Sequence, residues 1–202
     1  MSTNTTPTQR VIPRVEACID CGGCEVACQR TWGLPEDSDR IRVMTVDEGE
    51  HAGPYQGGER SAALSCFHCA EAPCIEVCPT EAIERSDNDL VRVDKDSCIG
   101  CKYCAVACPF GAPQFPGAEV PEAEEEEPRG YGSAGLMDKC TGCEPRLEQD
   151  EQPACVSECP TDALIFGTPT ELSAQVRDGA MDGLFSRREL NVIFGPGTVE
   201  QG

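Results

Sequence analysis

The chain is short of the side chains that build large cores and basic surfaces. Aromatics make up only 5% of its 202 residues: six Phe, three Tyr and one Trp. A core of ordinary size for this length needs more apolar bulk, so something other than side chains must fill part of the interior. Lysine occurs only at Lys95, Lys102 and Lys139, and the formal net charge is −20. A balance that acidic excludes nucleic acid as a partner. No apolar run approaches the roughly 20 residues that span a bilayer, so no direct membrane span is expected. Met1 to Ile12 lacks the apolar stretch of a signal peptide, and Arg10 and Arg14 are not adjacent, so no twin-arginine signal forms. There is no phosphate-binding glycine loop, no G-x-G-x-x-G fingerprint and no Ser/His/Asp arrangement, so no catalysis is expected of this chain by itself. The acidity has two readings: carboxylates that keep the surface soluble in a halophilic or acidic-proteome host, or docking to a basic partner.

Cysteine is what the chain has in abundance. Its 16 cysteines fall into four groups with none left over. They are Cys18, Cys21, Cys24 and Cys28; Cys66, Cys69, Cys74 and Cys78; Cys98, Cys101, Cys104 and Cys108; and Cys140, Cys143, Cys155 and Cys159. Three thiolates in a C-x-x-C-x-x-C turn, then a fourth cysteine and a proline, form the ligand spacing of a bacterial [4Fe–4S] ferredoxin. Disulfides would need an oxidising compartment. Zinc would fit the fourth group alone, but three cysteines within seven residues surround a cube corner better than one tetrahedral ion. The expected cofactors are therefore four [4Fe–4S] clusters, and the expected task is electron transfer. Without them the chain is expected to be largely unfolded.

The organisation predicts an α+β fold of two nested, loop-rich ferredoxin-like modules with short helices and hairpins. Residues 1–14 read as a flexible arm. Residues 66–111 form one module around groups two and three. Its hairpin runs from Ile83-Glu84 through the turn Asp87-Asn88-Asp89 to the strand Leu90 to Asp94. Residues 15–65 plus 138–168 form the other, around groups one and four. They hold a helix from Glu25 to Thr31, a strand from Ile41 to Val46 and turns at Gly53-Pro54 and Gly57-Gly58. Cys159-Pro160-Thr161-Asp162-Ala163-Leu164 repeats Cys78-Pro79-Thr80-Glu81-Ala82-Ile83. Residues 112–137 read as a solvated acidic loop, with Glu119, Glu122 and Glu124 to Glu127. In the tail, 169–202, Thr170 could cap a helix. Glu189 to Pro196 reads as a strand or a segment on a partner subunit, or as local packing.

In two-cluster ferredoxins the fourth cysteine of a run crosses to the other cluster. The expected ligand sets are then Cys18, Cys21, Cys24 with Cys159; Cys140, Cys143, Cys155 with Cys28; Cys66, Cys69, Cys74 with Cys108; and Cys98, Cys101, Cys104 with Cys78. Pro79, Pro109 and Pro160 turn the backbone away after the fourth ligand, whereas Gln29 leaves the first helix free to continue. Gly22, Gly23, Gly100 and Gly142 let backbone N–H groups approach cluster sulfurs. His68 is read as a solvent-facing loop residue, with cluster tuning as the sharper alternative, and Trp32 as a packing residue rather than a relay.

From about Pro13 to Gly167 the chain resembles the four-cluster iron–sulfur subunit of the dimethyl sulfoxide reductase family of molybdopterin oxidoreductases. The resemblance rests on Cys69-Ala70-Glu71-Ala72-Pro73-Cys74, on Cys98-Ile99-Gly100-Cys101-Lys102-Tyr103-Cys104 with Cys108-Pro109-Phe110-Gly111, and on Lys139-Cys140-Thr141-Gly142-Cys143 with Cys155 and Cys159-Pro160. It implies the same nested pairing. It also implies a catalytic subunit with a molybdenum or tungsten bis-pterin, and a membrane anchor exchanging electrons with quinone or a soluble carrier. Nitrate reductase-type members replace one ligand by tryptophan; here all sixteen positions are cysteine. The membrane helix of the formate dehydrogenase-N type is not found. The expected location is cytoplasmic, or peripheral on the membrane through a partner, with export alongside a catalytic partner left open. A polyferredoxin-type carrier for carbon monoxide dehydrogenase, hydrogenase or aldehyde oxidoreductase is the alternative.

Overall fold

Helix length near the cysteines is set by the residue after the last one of each group. Gln29 lets α1 (Gly23–Trp32) run on past Cys28 until Gly33 ends it at φ 54°. Pro109 does the opposite for α3 (Tyr103–Ala107): the residue before a proline avoids helical backbone, and Cys108 is extended at φ −78°, ψ 115°. The computed structural model describes residues 9–35, 38–46, 60–117, 135–178, 180–181 and 184–196. Among them lie six strands, β1 (Arg10–Pro13), β2 (Ile41–Val46), β3 (Arg60–Ser65), β4 (Ile83–Arg85), β5 (Val91–Val93) and β6 (Leu164–Gly167). The other helices are α2 (Pro73–Glu76), α4 (Glu144–Leu147), α5 (Ala154–Ser157), α6 (Pro169–Arg177) and α7 (Arg187–Phe194).

The strands pair as three antiparallel ribbons among the described residues: β1 with β6, β2 with β3, and β4 with β5. The expected hairpin is present with Ile83 opposite Val93. The β1–β6 pair, Ile12 opposite Ile165, joins the segment before group one to the segment after group four. Helix α1 packs on α5, and α2 on α3.

Among the described residues three small apolar clusters stand in place of one large core. One lies around Cys24, Cys28, Ile41, Ala63, Cys155 and Leu164. A second gathers Ala72, Ile83, Val91, Cys104 and Met137. The third joins Ile12 and Phe67 to Leu172, Val176, Ile193 and Phe194 of the tail.

Four expectations need correction. The flexible arm does not extend to residue 14: Arg10–Pro13 is a strand whose Ile12 is buried. The end of the tail is the helix α7 rather than a strand or a segment on a partner, and the local-packing reading holds, because α6 and α7 each turn an apolar face onto the cluster of Ile12 and Phe67. The cap of α6 is Thr168 rather than Thr170, with Glu171 closing a reciprocal capping box. The ends of the acidic loop are built in: Gln114 pairs with Asp138, and Met137 is fully buried. The turns at Gly53-Pro54 and Gly57-Gly58, and Glu119 to Glu127, lie outside the described residues.

Candidate metal centres

Each group of cysteines opens with the same backbone turn. The residue two after the first cysteine is left-handed in all four: Asp20 at φ 57°, His68 at 47°, Gly100 at 66° and Gly142 at 71°. That turn swings a backbone N–H back toward the first sulfur. His68 N–H donates to Cys66 Sγ and Gly142 N–H to Cys140 Sγ, each at 3.4 Å. The next left-handed residue caps the following helix, Gly22 for α1, Lys102 for α3 and Cys143 for α4.

The fourth cysteines of groups two and four share a different device. Cys78 and Cys159 each lie 3.8 Å from the hydroxyl two residues on, Thr80 and Thr161. Glu81 at φ 55° and Asp162 at 53° then fold the backbone so that its amides converge on the sulfur. Ala163 N–H reaches Cys159 Sγ at 3.2 Å. Burial pushes the Cys78 thiol up, but amides and the Thr80 hydroxyl outweigh it and hold the thiol below its ordinary value. Cys159 is lowered against its own burial in the same way. Donors of this kind favour the thiolate, the form that binds metal.

The structure gathers cysteines from different groups. Cys66, Cys69 and Cys74 wall one cavity together with Cys108. Cys18, Cys21 and Cys24 wall another together with Cys159. Burial, then the neighbouring thiols of Cys140 and Cys143, push Cys28 upward. Burial, then Cys140, Cys143 and Cys28, do the same to Cys155. Cys140 is pushed up to about 12 by burial, Cys143 and Cys66. Cys104 is pushed up to about 11, by burial first and, through their charge, by Cys101 and Cys98; Cys78 and Cys98 pack on the same apolar cluster as Cys104. Among the described residues no three His, Cys, Asp or Glu side chains converge tightly enough to share one ion. Thiols spread around a cavity suit a cube with a ligand at each iron better than a single tetrahedral ion.

His68 is not solvent-facing. It is 2% exposed, and its Nδ1 accepts the Val91 N–H at 3.0 Å, which places the ring proton on Nε2. Burial, with Lys139 and Arg10 nearby, pushes its pKa well below the usual histidine range. Trp32 packs against the cluster around Cys24, as a packing residue should.

Two features escaped the sequence reading. Arg40 and Asp138, 3% and 5% exposed, form a buried pair through two bonds of 2.8 Å, joined by Lys95 at 3.3 Å. Phe67, Phe110 and Phe185 meet edge-on with centroids 5.0 to 5.4 Å apart, tying the tail to groups two and three. The Asp138-Lys139-Cys140 run was the available signal for the first; nothing short-range signals the second.

Among the described residues no helix is long and apolar enough to cross a membrane. The chain matches a 4Fe-4S binding domain over residues 15–32, a 4Fe-4S binding domain over 90–113 and a 4Fe-4S dicluster domain over 126–169. With 16 cysteines, these fit four [4Fe–4S] clusters. The formate dehydrogenase iron-sulfur subunit of Wolinella succinogenes is 38% identical over 178 residues, covering 80% of this chain and 82% of the relative. The thiosulfate reductase electron transfer subunit of Salmonella typhi is 40% identical over 159 residues, covering 78% and 74%. The B subunit of the anaerobic dimethyl sulfoxide reductase of Escherichia coli is 35% identical over 160 residues, covering 77% and 71%. Ferredoxin-type turns, sixteen grouped thiols and relatives matched over most of their length make one conclusion: the chain belongs to the family of iron–sulfur electron-transfer subunits of formate dehydrogenase, thiosulfate reductase and dimethyl sulfoxide reductase complexes, and is not a catalyst by itself.

Proposed function

We propose that the chain wires a catalytic subunit carrying a molybdenum or tungsten bis-pterin to a second redox partner, either a membrane anchor that meets quinone or a soluble carrier. It does so through two nested ferredoxin-like modules, with groups two and three in one and groups one and four in the other. Each ligand set takes three cysteines from one group and the fourth from its module partner. The observation that carries this reading is the make-up of the two cavities: Cys108 completes the wall begun by Cys66, Cys69 and Cys74, and Cys159 the wall begun by Cys18, Cys21 and Cys24. The β1–β6 pair supports the nesting, since it brings the flanks of groups one and four together. When bound, the clusters supply one-electron carriers. The chain's own contribution is to hold thiolates, aim amides at sulfur and keep the sites close-packed. Attachment to any membrane is through a partner.

Two measurements test this. Serine at Cys108 and serine at Cys74 should remove the same electron paramagnetic resonance signal, and serine at Cys104 a different one. If Cys108→Ser and Cys104→Ser removed one and the same signal, the crossed pairing would be wrong. Metal analysis of the complex purified with this chain should find molybdenum or tungsten beside about sixteen irons per copy. Nickel, or iron alone, would instead point to a different catalyst served by similar wiring.

A further inference from the structure

The chain's three lysines have different surroundings. Lys102 lies over the Phe115 ring, 5.6 Å from its centroid, and Lys95 pairs with Asp138. Lys139 is 4% exposed, and its ammonium donates to two carbonyl oxygens, those of Val91 and, at 3.0 Å, Cys140. The neighbouring carboxylate, Asp138, is engaged by Arg40 and Lys95. Lys139 therefore keeps a positive charge inside the protein with no carboxylate bonded to it among the described residues.

That charge stands at two sites at once. Lys139 lines the cavity walled by Cys66, Cys69, Cys74 and Cys108. It also precedes Cys140 and holds its carbonyl. The two sites are neighbours, since the same side chain lines the cavity of Cys66 and bonds the Cys140 carbonyl. Val91, the other carbonyl partner, is fixed by His68 from within group two.

We propose that Lys139 is a shared electrostatic positioning residue, which raises the reduction potentials of the Cys66/Cys69/Cys74/Cys108 and Cys140/Cys143/Cys155/Cys28 sites above those of the other two. The proposal rests on the crossed pairing above. Each one-electron reduction adds one negative charge to a site that is already anionic. A buried cation, poorly screened by water, stabilises the more negative state at both neighbours. Electrons supplied by a redox partner then rest preferentially at these two sites.

The test is a potentiometric titration followed by electron paramagnetic resonance, on the complex with its clusters loaded. Lys139→Gln keeps a donor for the carbonyls and removes the charge. Two of the four midpoints should fall, those of the signals removed by Cys74→Ser and Cys155→Ser, while the other two stay. Lys139→Arg, which keeps the charge, should leave all four at their original values. Four unmoved midpoints in a fully loaded Lys139→Gln, four that fall together, or a fall confined to the other pair would each overturn the proposal. If Lys139→Gln lost iron, Lys139→Arg would decide: full loading with unmoved midpoints supports the idea, and lowered midpoints overturn it. Failure of the pairing is read separately, from Cys74→Ser and Cys108→Ser removing different signals.

Discussion

At the residue scale, the turns around the cysteines were legible because their spacing is a local property of the backbone. Two cysteines two residues apart can face one cube only if the chain turns between them, and all four groups turn there through a left-handed residue. What could not be read locally is which remote atom fills the space beside each turn. A Cβ on Gly142 would meet both terminal carbons of Leu90 at 2.9 Å, at a φ of 71°. Gly142→Ala should therefore destabilise the chain by about 1–3 kcal/mol in chemical denaturation, from overpacking and backbone strain. Gly142→Ala combined with Leu90→Ala should cost less than the sum of the two, because shortening Leu90 relieves the clash. The Arg40–Asp138 pair makes a sharper claim. Burial alone would raise the Asp138 carboxyl, but Arg40 and Lys95 hold it below the ordinary range. Asp138→Asn leaves two cations facing a neutral amide and should cost about 3–5 kcal/mol, read as a fall in denaturation midpoint with full iron loading.

At the scale of elements, proline and its absence decided helix length as the sequence suggested, and the hairpin β4–β5 formed around its turn. The strand β1 was not legible, since its signal is pairing across the length of the chain; the helix α6 was read with its cap two residues late, and α7 was not read as a helix. Arg10 shows why: its guanidinium bonds Ile193 of α7 at 2.7 Å and Asp89 of the hairpin turn at 3.2 Å. The tail helices are set by capping boxes, in which Thr168 and Glu171 satisfy each other's backbone groups, as do Ser186 and Glu189. Thr168→Ala should weaken α6 by about 1 kcal/mol, seen as faster amide exchange over Pro169–Arg177. Backbone and hydroxyl bonds from Thr168 hold the Glu171 carboxyl below its ordinary 4.5. Its folded value is depressed, so the cap's contribution is complete above the unfolded value and is lost as pH falls through the folded one. In a series taken below pH 4.5, exchange over α6 in the parent should approach that of Thr168→Ala.

At the scale of the molecule, thiols and small apolar clusters occupy the place of a large side-chain core. The scarcity of aromatics announced this, and three of the six Phe are spent on one contact, between the tail and the Phe67 and Phe110 turns. Stripping iron with a chelator under anaerobic conditions should collapse helical circular dichroism together with the visible absorption, as one transition. Retention of the far-ultraviolet signal after complete iron loss would show that the polypeptide holds this fold without its metal. The β1–β6 pair has a further consequence, in the order of synthesis. Strand β1 emerges from the ribosome before β6 and cannot complete its pairing until Gly167 has followed it out. The cavity walled by Cys18, Cys21 and Cys24 likewise lacks part of its wall until Cys159 has emerged. Until then those earlier thiols stay open to oxygen and stray metal, so a segment made early is covered late.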